Sequence, residues 1–367
     1  MNIHSLKQLW RDLPRSVRIA LLAVMDIALI GGGLCIFALF HHVIPRQEEA
    51  IGAVSSRNSA ANQTSVQQTI APDAGDAAIQ STIEPQASVQ PTIEPQASVQ
   101  PAAEPTVSSD PVGYFGTKFA DKFTDGEVIN KLLDDGTGIY QSANLNLTGT
   151  THHGYNSDYY VVDIYVKDIA CLKTAMANDK YGRGQRQWPS EIAEANNAIA
   201  AINGDFYSAR QEGTVLRNGV LYRDYLFGDV GVLYWDGTFE TYNEMEYNLD
   251  SIMARGAYQI WNFGPMLLEN GQPMTDFNSS VTKANPRTAI GYYEPGHYCF
   301  VVVDGRTKQS DGMTMEELSQ LFYDLGCAEA YNLDGGQTSQ LVWNGHVISN
   351  PYDGGRECSD IVLVAEP

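Results

Sequence analysis

Basic side chains are scarce in this sequence, and their scarcity narrows the classes of partner it can bind. The chain has 23 lysines and arginines against 44 aspartates and glutamates, a formal net charge of −21. Nucleic-acid binding relies on clustered lysine and arginine that neutralise phosphates. We therefore expect no nucleic-acid partner, although a few local arginines could still hold a small anionic substrate.

Several signatures of catalysis and metal binding are also missing. No cysteine or histidine has the CxxC or CxxH spacing of a zinc site. There is no G-x-S-x-G nucleophile motif and no glycine-rich nucleotide-binding loop, and the histidines form no catalytic constellation. Aspartate and glutamate are therefore the main source of catalytic groups.

Cysteine is infrequent, and its redox state stays open. Four of the five cysteines lie beyond residue 41, each beside apolar residues: Cys171, Cys299, Cys327 and Cys358. An oxidising compartment would permit disulfides among them, while their apolar neighbours equally favour buried free thiols. A domain of about 250 residues does not need such cross-links to form a core.

One long apolar run predicts a membrane anchor. Residues 19–40 contain a single charge, Asp26, and are long enough to cross a hydrocarbon layer about 30 Å thick. Basic residues dominate the preceding segment, so the positive-inside rule predicts a cytoplasmic tail at 1–18 and a transmembrane signal anchor at 19–41. A cleaved signal peptide is the alternative, but FALFHHVIPR is a poor cleavage site.

The next segment predicts a stalk. A ten-residue repeat, STIEPQASVQ then PTIEPQASVQ, covers residues 81–100, and the region is rich in Pro, Gln, Ser and Ala. Such a composition buries too little apolar surface to offset the entropy of ordering, and its prolines keep the chain extended. We predict a disordered stalk at 42–112 that carries a globular domain at 113–367 outside the membrane.

Strand and helix signals both occur in the globular segment, which predicts a mixed α+β fold: a strand-rich single domain with a few packed helices. Residues 158–166, 230–242 and 288–306 are alternating or β-branched runs with turn residues between them. Residues 339–349 carry the strongest hairpin signal, an Asn344-Gly345 turn between two short strands.

Two helices are predicted as well. One begins near Ser190 and continues through EIAEANNAIAA; the other begins at Thr314, where Glu317 completes a capping box, and ends at Gly326. Each helix leads into a short apolar strand that ends in polar, glycine-containing sequence, AAINGDFY and AEAYNLDGGQTS. Catalytic side chains are common at such junctions.

Four polar clusters are candidates for chemistry. In chain order they are Asn203-Gly204-Asp205, Asn285-Pro286-Arg287-Thr288, Asp304-Gly305-Arg306, and the segment from Asn332 to Ser339. Each has a simpler structural interpretation: the first could be only a turn, the second an exposed arginine, the third an Asx turn that closes a strand, and the fourth a glycine-rich turn.

The fourth cluster gives the strongest functional signal. Asn332 and Asp334 are two residues apart, so their side chains should point the same way along a strand. The two glycines that follow could let backbone amides approach an anion, and Thr338 and Ser339 add hydroxyl donors. This concentration of polar groups favours a functional site over a turn.

The order of motifs is more specific than any one of them. NGDFY, FGPMLLENG, NPRTAIGYY, VVVDGR, GMTMEELSQLFYDLGC, NLDGGQTSQLVWNG and RECSDIVLV follow one another over about residues 155–367. In this order they resemble the phosphodiester glycosidase family. That family includes the lysosomal enzyme that uncovers mannose 6-phosphate by removing N-acetylglucosamine, and bacterial proteins described as exopolysaccharide biosynthesis proteins.

The resemblance implies an extracytoplasmic hydrolase that cleaves the glycosidic bond of a sugar-1-phosphodiester in cell-envelope or exopolysaccharide metabolism. Asp334 is the first candidate for the catalytic base or nucleophile, with Asp304 and Asp205 as further catalytic candidates. By motif position, the substrate-binding groups fall on Asn203, Arg287, Thr288, Asn332, Gly335, Gly336, Ser339 and Arg356. Departures from the family's usual NGGFF and NLDGGGS motifs, at Asp205, Tyr207 and 337–339, bear on substrate specificity.

No cofactor is certain from the sequence. A divalent cation near Asp205, Asp304 or Asp334 is left open, because no ligand spacing indicates one. The expected partners are a glycosyl-phosphate or polysaccharide substrate and a bacterial cell membrane crossed once. The alternatives are a non-catalytic wall- or polysaccharide-binding domain, which the 20 tyrosines would suit, and an enzyme of polymer assembly acting on lipid-linked sugar diphosphates or teichoic-type polymers.

Overall fold

The computed structural model describes residues 52–53, 111–133 and 136–367. The predicted cytoplasmic tail and transmembrane anchor lie outside these residues, as does the predicted stalk apart from 52–53 and 111–112. Among the described residues no helix has the length and apolar character needed to span a membrane.

Strands outnumber helices in the described residues, which confirms the strand-rich prediction. The strands are β1 Gly52–Ala53, β2 Ile129–Leu132, β3 Gly138–Gln141, β4 Leu145–Gly154, β5 Ser157–Val166, β6 Leu172–Met176, β7 Ala200–Asn203, β8 Val215–Arg217, β9 Val220–Arg223, β10 Val230–Tyr234, β11 Phe239–Tyr242, β12 Ala257–Trp261, β13 Leu268–Glu269, β14 Gln272–Pro273, β15 Arg287–Glu294, β16 His297–Val303, β17 Glu329–Asn332, β18 Leu341–Trp343, β19 His346–Val347 and β20 Asp360–Val364. The α-helices are α1 Pro189–Ala195, α2 Leu249–Ala254 and α3 Met315–Asp324.

The strands form three larger antiparallel sheets and one small hairpin. Their spatial orders are β17-β15-β16-β5-β4-β3-β2, β1-β9-β8-β12-β10-β11 and β19-β18-β7-β20-β6, with β13-β14 as the hairpin. At one edge, β1 pairs with Val220 and Leu221 of β9. The open edge of β9 offers backbone groups to a neighbouring strand.

The three larger sheets share one hydrophobic core. It contains Ile164 and Phe300 from the seven-stranded sheet, Trp261 from the six-stranded sheet, and Ile202 and Trp343 from the five-stranded sheet, all buried. Antiparallel sheets with one face on a common core leave their outer faces to be covered by other elements.

A different helix covers the outer face of each sheet. Leu318 and Phe322 of α3 pack on the seven-stranded sheet, Ile192 of α1 packs on the five-stranded sheet, and Ile252 of α2 packs on the six-stranded sheet. Helices this short are marginal alone, so their stability comes from this packing.

Most predicted elements are confirmed, with one clear error of extent. Helix α3 begins after Thr314 with the predicted capping box, and β18 and β19 flank the Asn344-Gly345 turn. Helix α1 ends at Ala195, however, whereas the sequence predicted helix through the alanines that follow. Asn197 has a positive φ of 51°, a conformation that stops a helix, and Ala200 and Ala201 belong to β7.

The four cysteines of the globular part are free and buried. Burial raises the pKa of Cys171 to about 12 and raises the pKa values of Cys299 and Cys358 well above the usual range of a thiol. Protonated, inaccessible thiols of this kind are poor nucleophiles. The sulfurs of Cys299 and Cys327 lie 3.7 Å apart.

Candidate active site

Two strand ends line one cavity, and a third strand end lies behind the loop that carries Asp334. Asn203 ends β7 and Asn332 ends β17, while Arg287 begins β15, whose Ala289 is paired with Asn332. The adjoining cavity has a volume of about 770 Å³. The sequence thus predicted residues that the fold does bring together, although they are up to about 130 positions apart.

The cavity wall combines aromatic and cationic groups. Its apolar part includes Phe227, Phe263, Phe277, Val281 and Met315, and its charged side chains are Arg210, Glu244, Arg287, Arg306 and Asp334. An apolar surface interrupted by a few charged groups is typical of a small-molecule site.

Asp334 sits between this cavity and a smaller one. Besides the large cavity, it lines a cavity of about 100 Å³ together with Arg186, Phe206 and Arg356. Its Oδ2 accepts a hydrogen bond from Nη2 of Arg356 at 3.0 Å. Burial raises the pKa of Asp334, while the charge and hydrogen bond of Arg356 and a hydrogen bond from Thr338 act in the opposite direction.

Asn203 and Thr288 fix the backbone that carries Asp334. Nδ2 of Asn203 donates to the carbonyl oxygen of Asp334 at 2.6 Å. Its Oδ1 accepts from the Thr288 hydroxyl at 2.8 Å and from the Gln340 amide at 3.2 Å. All three side chains are buried. Asn203 and Thr288, both predicted to bind substrate, therefore use their hydrogen-bonding atoms to position the Asp334 loop.

Two arginines face the large cavity without carboxylate partners. Arg287 is buried and donates to the carbonyl oxygens of Met313 and Lys283 at 3.0 and 2.6 Å. Arg306 donates twice to Oδ1 of Asn285, at 3.1 and 2.8 Å. Burial, together with the charge of Arg306, lowers the pKa of Arg287 to about 10. The exposed-arginine interpretation of this motif is therefore wrong for Arg287.

Asp205 lies in a buried ion-pair network rather than on either cavity. Its Oδ2 accepts from Nη2 of Arg217 at 2.7 Å, and Nε of Arg217 donates to Oδ2 of Asp360 at 2.7 Å. Burial raises the pKa of Asp360 to about 7 in spite of Arg217, whereas Arg217 and Arg210 leave the pKa of Asp205 lowered despite its burial. Gly204 is required here because a Cβ would collide with the Asp360 carboxylate.

Asp304 likewise lies off both cavities. It accepts hydrogen bonds from the Tyr160 hydroxyl at 3.0 Å and from the Asn350 amide at 3.0 and 3.2 Å. Burial raises its pKa to about 6. Asp304 thereby holds the start of the loop that carries Arg356, and of the three candidate catalytic carboxylates only Asp334 lines a cavity.

The glycine pair behaves differently from an open anion nest. Gly335 and Gly336 line the cavity, but the Gly336 amide donates to the Pro286 carbonyl at 2.9 Å. Asn332 also lines the cavity and donates to the Gly264 carbonyl at 2.7 Å. Its Oδ1 and the Ser339 hydroxyl are buried and have no hydrogen-bond partner among the described residues. Buried polar atoms left unpaired in this way are often completed by ligand or water.

Sequence reasoning missed Arg210 and the aromatic wall. Arg210 lies 5.1 Å from the ring centre of Phe227 and 5.8 Å from that of Phe263, and it donates to the Asn262 carbonyl. Arg210 and Phe227 belong to no recognisable motif, and Phe263 begins the FGPMLLENG motif without any signal that it lines a site. Only their approach in three dimensions reveals them. In the described part of the chain, no three His, Cys, Asp or Glu side chains are grouped so as to hold a metal ion.

Residues 196–365 match the model of a family described as phosphodiester glycosidase. The SPbeta prophage-derived uncharacterized protein YomE of Bacillus subtilis (strain 168) is 28% identical over 284 residues, 69% of this chain and 44% of that protein. The N-acetylglucosamine-1-phosphodiester alpha-N-acetylglucosaminidase of Bos taurus is 33% identical over 107 residues, 27% of this chain and 20% of that enzyme. The chain therefore spans less than half the length of either relative.

A solved structure of the zebrafish N-acetylglucosamine-1-phosphodiester alpha-N-acetylglucosaminidase catalytic domain, auto-inhibited by pro-peptide, is 18% identical, with a TM-score of 0.49 over 67% of this chain and 86% of that one. The sequence match agrees with the order of motifs. Residues 196–365 are therefore similar to the phosphodiester glycosidase family.

Proposed function

We propose that the chain hydrolyses the glycosidic C–O bond of a sugar-1-phosphodiester of the N-acetylglucosamine-1-phosphate type. One observation carries the proposal: Asp334, a single buried carboxylate, lines a cavity that also presents arginines without acidic partners. An acid able to act at an anomeric carbon beside cations able to hold a phosphate is the arrangement this reaction needs.

The wall of the cavity suits the two halves of such a substrate. Phe227, Phe263 and Phe277 give an apolar surface for the face of a sugar ring. Arg287 and Arg306 offer planar guanidinium groups to phosphate oxygens. When the bond between the anomeric carbon and the bridging oxygen breaks, the electron pair passes to that oxygen, and these arginines stabilise the charge that develops on the phosphate.

Asp334 supplies the group that acts on the sugar. The transition state resembles an oxocarbenium ion, and an ionised Asp334 either attacks the anomeric carbon or takes a proton from the water that does. Phosphate is already a good leaving group, so strong general-acid assistance is less necessary than in ordinary glycoside hydrolysis. The ion pair with Arg356 at 3.0 Å favours the ionised carboxylate that either role requires.

The proposal also includes a cell location, outside the membrane. An anchor at 19–41 and a stalk at 42–112 would hold this domain outside a bacterial membrane, where cell-envelope and exopolysaccharide substrates are found. Protease treatment of intact cells would remove a domain so placed. Digestion only after lysis would contradict this location.

We expect the full chain to release free sugar from UDP-N-acetylglucosamine or from a synthetic N-acetylglucosamine-1-phosphate diester. The assay is chromatographic measurement of the sugar, with and without EDTA, and the chelator decides whether a divalent cation takes part. Binding of a cell-wall glycan by the folded protein without any release of sugar would favour the non-catalytic alternative.

Replacing Arg356 with Gln should shift the acid limb of the kcat/KM profile to higher pH. Arg356 lowers the pKa of Asp334 through its charge and its hydrogen bond, so its removal raises that pKa, and the reactive carboxylate is lost at a higher pH. Arg186→Gln is the matched control, since Arg186 is exposed and lines the same small cavity. Identical shifts in both variants, or none, would argue against this role for Arg356.

A further inference from the structure

The charges that line the large cavity are unbalanced. Asp334 is paired with Arg356, which leaves Arg210, Arg287 and Arg306 facing a single remaining carboxylate, Glu244. Two positive charges are therefore uncompensated within the cavity wall. A phosphodiester monoanion would neutralise only one of them.

The geometry of Arg287 and Arg306 shows where the excess charge lies. Both donate to neutral oxygens only, and neither forms an ion pair with any described residue. The Arg306 guanidinium also packs on Gly336, where an added Cβ would lie 3.3 Å from its Nη2. Gly336 is two residues from Asp334 along the chain, so Arg306 packs on the loop that carries the proposed reacting carboxylate.

The fold keeps these like charges together at a cost. Burial and the charge of Arg306 both disfavour the charged form of Arg287. Arg306 itself has a positive φ of 58°, a backbone conformation that costs a non-glycine residue free energy and that occurs mainly where function demands it. Arg287 is buried and Arg306 is exposed, and a buried cation such as Arg287 is stabilised when an anion pairs with it.

We propose that Arg287 and Arg306 form a diphosphate-binding subsite, so that the substrate is a glycosyl diphosphate diester carrying two negative charges. This inference rests on the proposed function and deepens it by naming the phosphate side of the substrate. One phosphate lies at Arg287 and the next at Arg306, and the sugar projects toward Asp334.

The test compares two probes that differ by one charged phosphate, dimethyl phosphate and P1,P2-dimethyl diphosphate. Isothermal titration of the full chain should show the diphosphate binding about tenfold or more tightly, because it makes additional charge-assisted hydrogen bonds. Arg306→Gln should reduce this preference to near unity, and Arg306→Lys should restore part of it. Thermal melting checks that each variant is folded.

Lys308→Gln is the matched control. Lys308 is an exposed cation two residues from Arg306 and does not line the cavity, so its removal should leave the preference unchanged. Equal affinity of the wild type for both probes, no binding of either, or an unchanged preference in Arg306→Gln would overturn the inference. If the protein preferred the diphosphate probe but released sugar from no substrate, the subsite would be upheld and the proposed hydrolysis refuted. Failure of the subsite and failure of the hydrolysis are therefore distinguishable.

Discussion

Asp334→Asn should reduce sugar release by about 10²- to 10⁴-fold, the range seen when a group that transfers a proton in the transition state is removed. The amide keeps the shape of the side chain and can still accept the hydrogen bond from Arg356. Because Asn203 holds the backbone of residue 334 and not its carboxylate, the loop should stay in place. The measurement is the initial rate of hydrolysis with saturating substrate.

Folding of this variant should be unimpaired. Burial disfavours the charged form of Asp334 and raises its pKa, so a neutral replacement removes an unfavourable charge from the interior. Asp353→Asn is the control, because Asp353 is an exposed carboxylate three residues from Arg356 that contacts Gln337 at 3.5 Å. Retention of more than about a tenth of the activity in Asp334→Asn would refute the assigned role.

Arg217→Met should destabilise the protein by about 3–5 kcal/mol, the usual cost of removing one partner from a buried ion pair. Arg217 is 2% exposed and lies between the carboxylates of Asp205 and Asp360. Its loss leaves two buried acids near each other without the arginine that pairs with both. Against a typical total stability of about 5–15 kcal/mol, this loss threatens the fold itself. The measurement is the urea midpoint, or the soluble yield if the variant does not fold.

Two comparisons isolate the cause of that loss. Arg255→Met removes an arginine that is about 39% exposed and pairs with Glu240, and it should cost no more than about 1 kcal/mol. Adding Asp205→Asn and Asp360→Asn to Arg217→Met removes the uncompensated charges and should recover much of the stability. If Arg217→Met and Arg255→Met were equally stable, the buried network would not hold the fold together.

Local sequence patterns predicted the elements whose signals are local. The capping box at Thr314 and the Asn344-Gly345 turn depend on residues a few positions apart, and both formed as expected. The end of α1 did not, because its alanines have high helix propensity but pair with β18 and β20 in a buried sheet. Tertiary pairing outweighed local preference there.

The sequence predicted which residues lie near the candidate site, but it did not predict what each of them does there. Each of the four polar clusters lies at or behind the cavity, yet motif position could not separate groups that face it from groups that support it. Asp205 and Asp334 both follow buried strands, but Arg217 pairs with the first in the interior. Arg217, whose charge separates the role of Asp205 from that of Asp334, belongs to no motif. Arg210 was missed for the same reason.

The position of β20 has a consequence for how the protein is made. This strand lies between β7 and β6 in the five-stranded sheet, yet it is synthesised more than 150 residues after either. Asp360, which completes the network with Arg217, is its first residue, and Arg356 comes just before it. During synthesis, the place between β7 and β6 must stay unfilled until these residues emerge. Pairing of strands so far apart in sequence is slow. A chain that stopped before residue 356 would therefore lack both Arg356 and Asp360 and would leave Arg217 with only one of its two carboxylate partners.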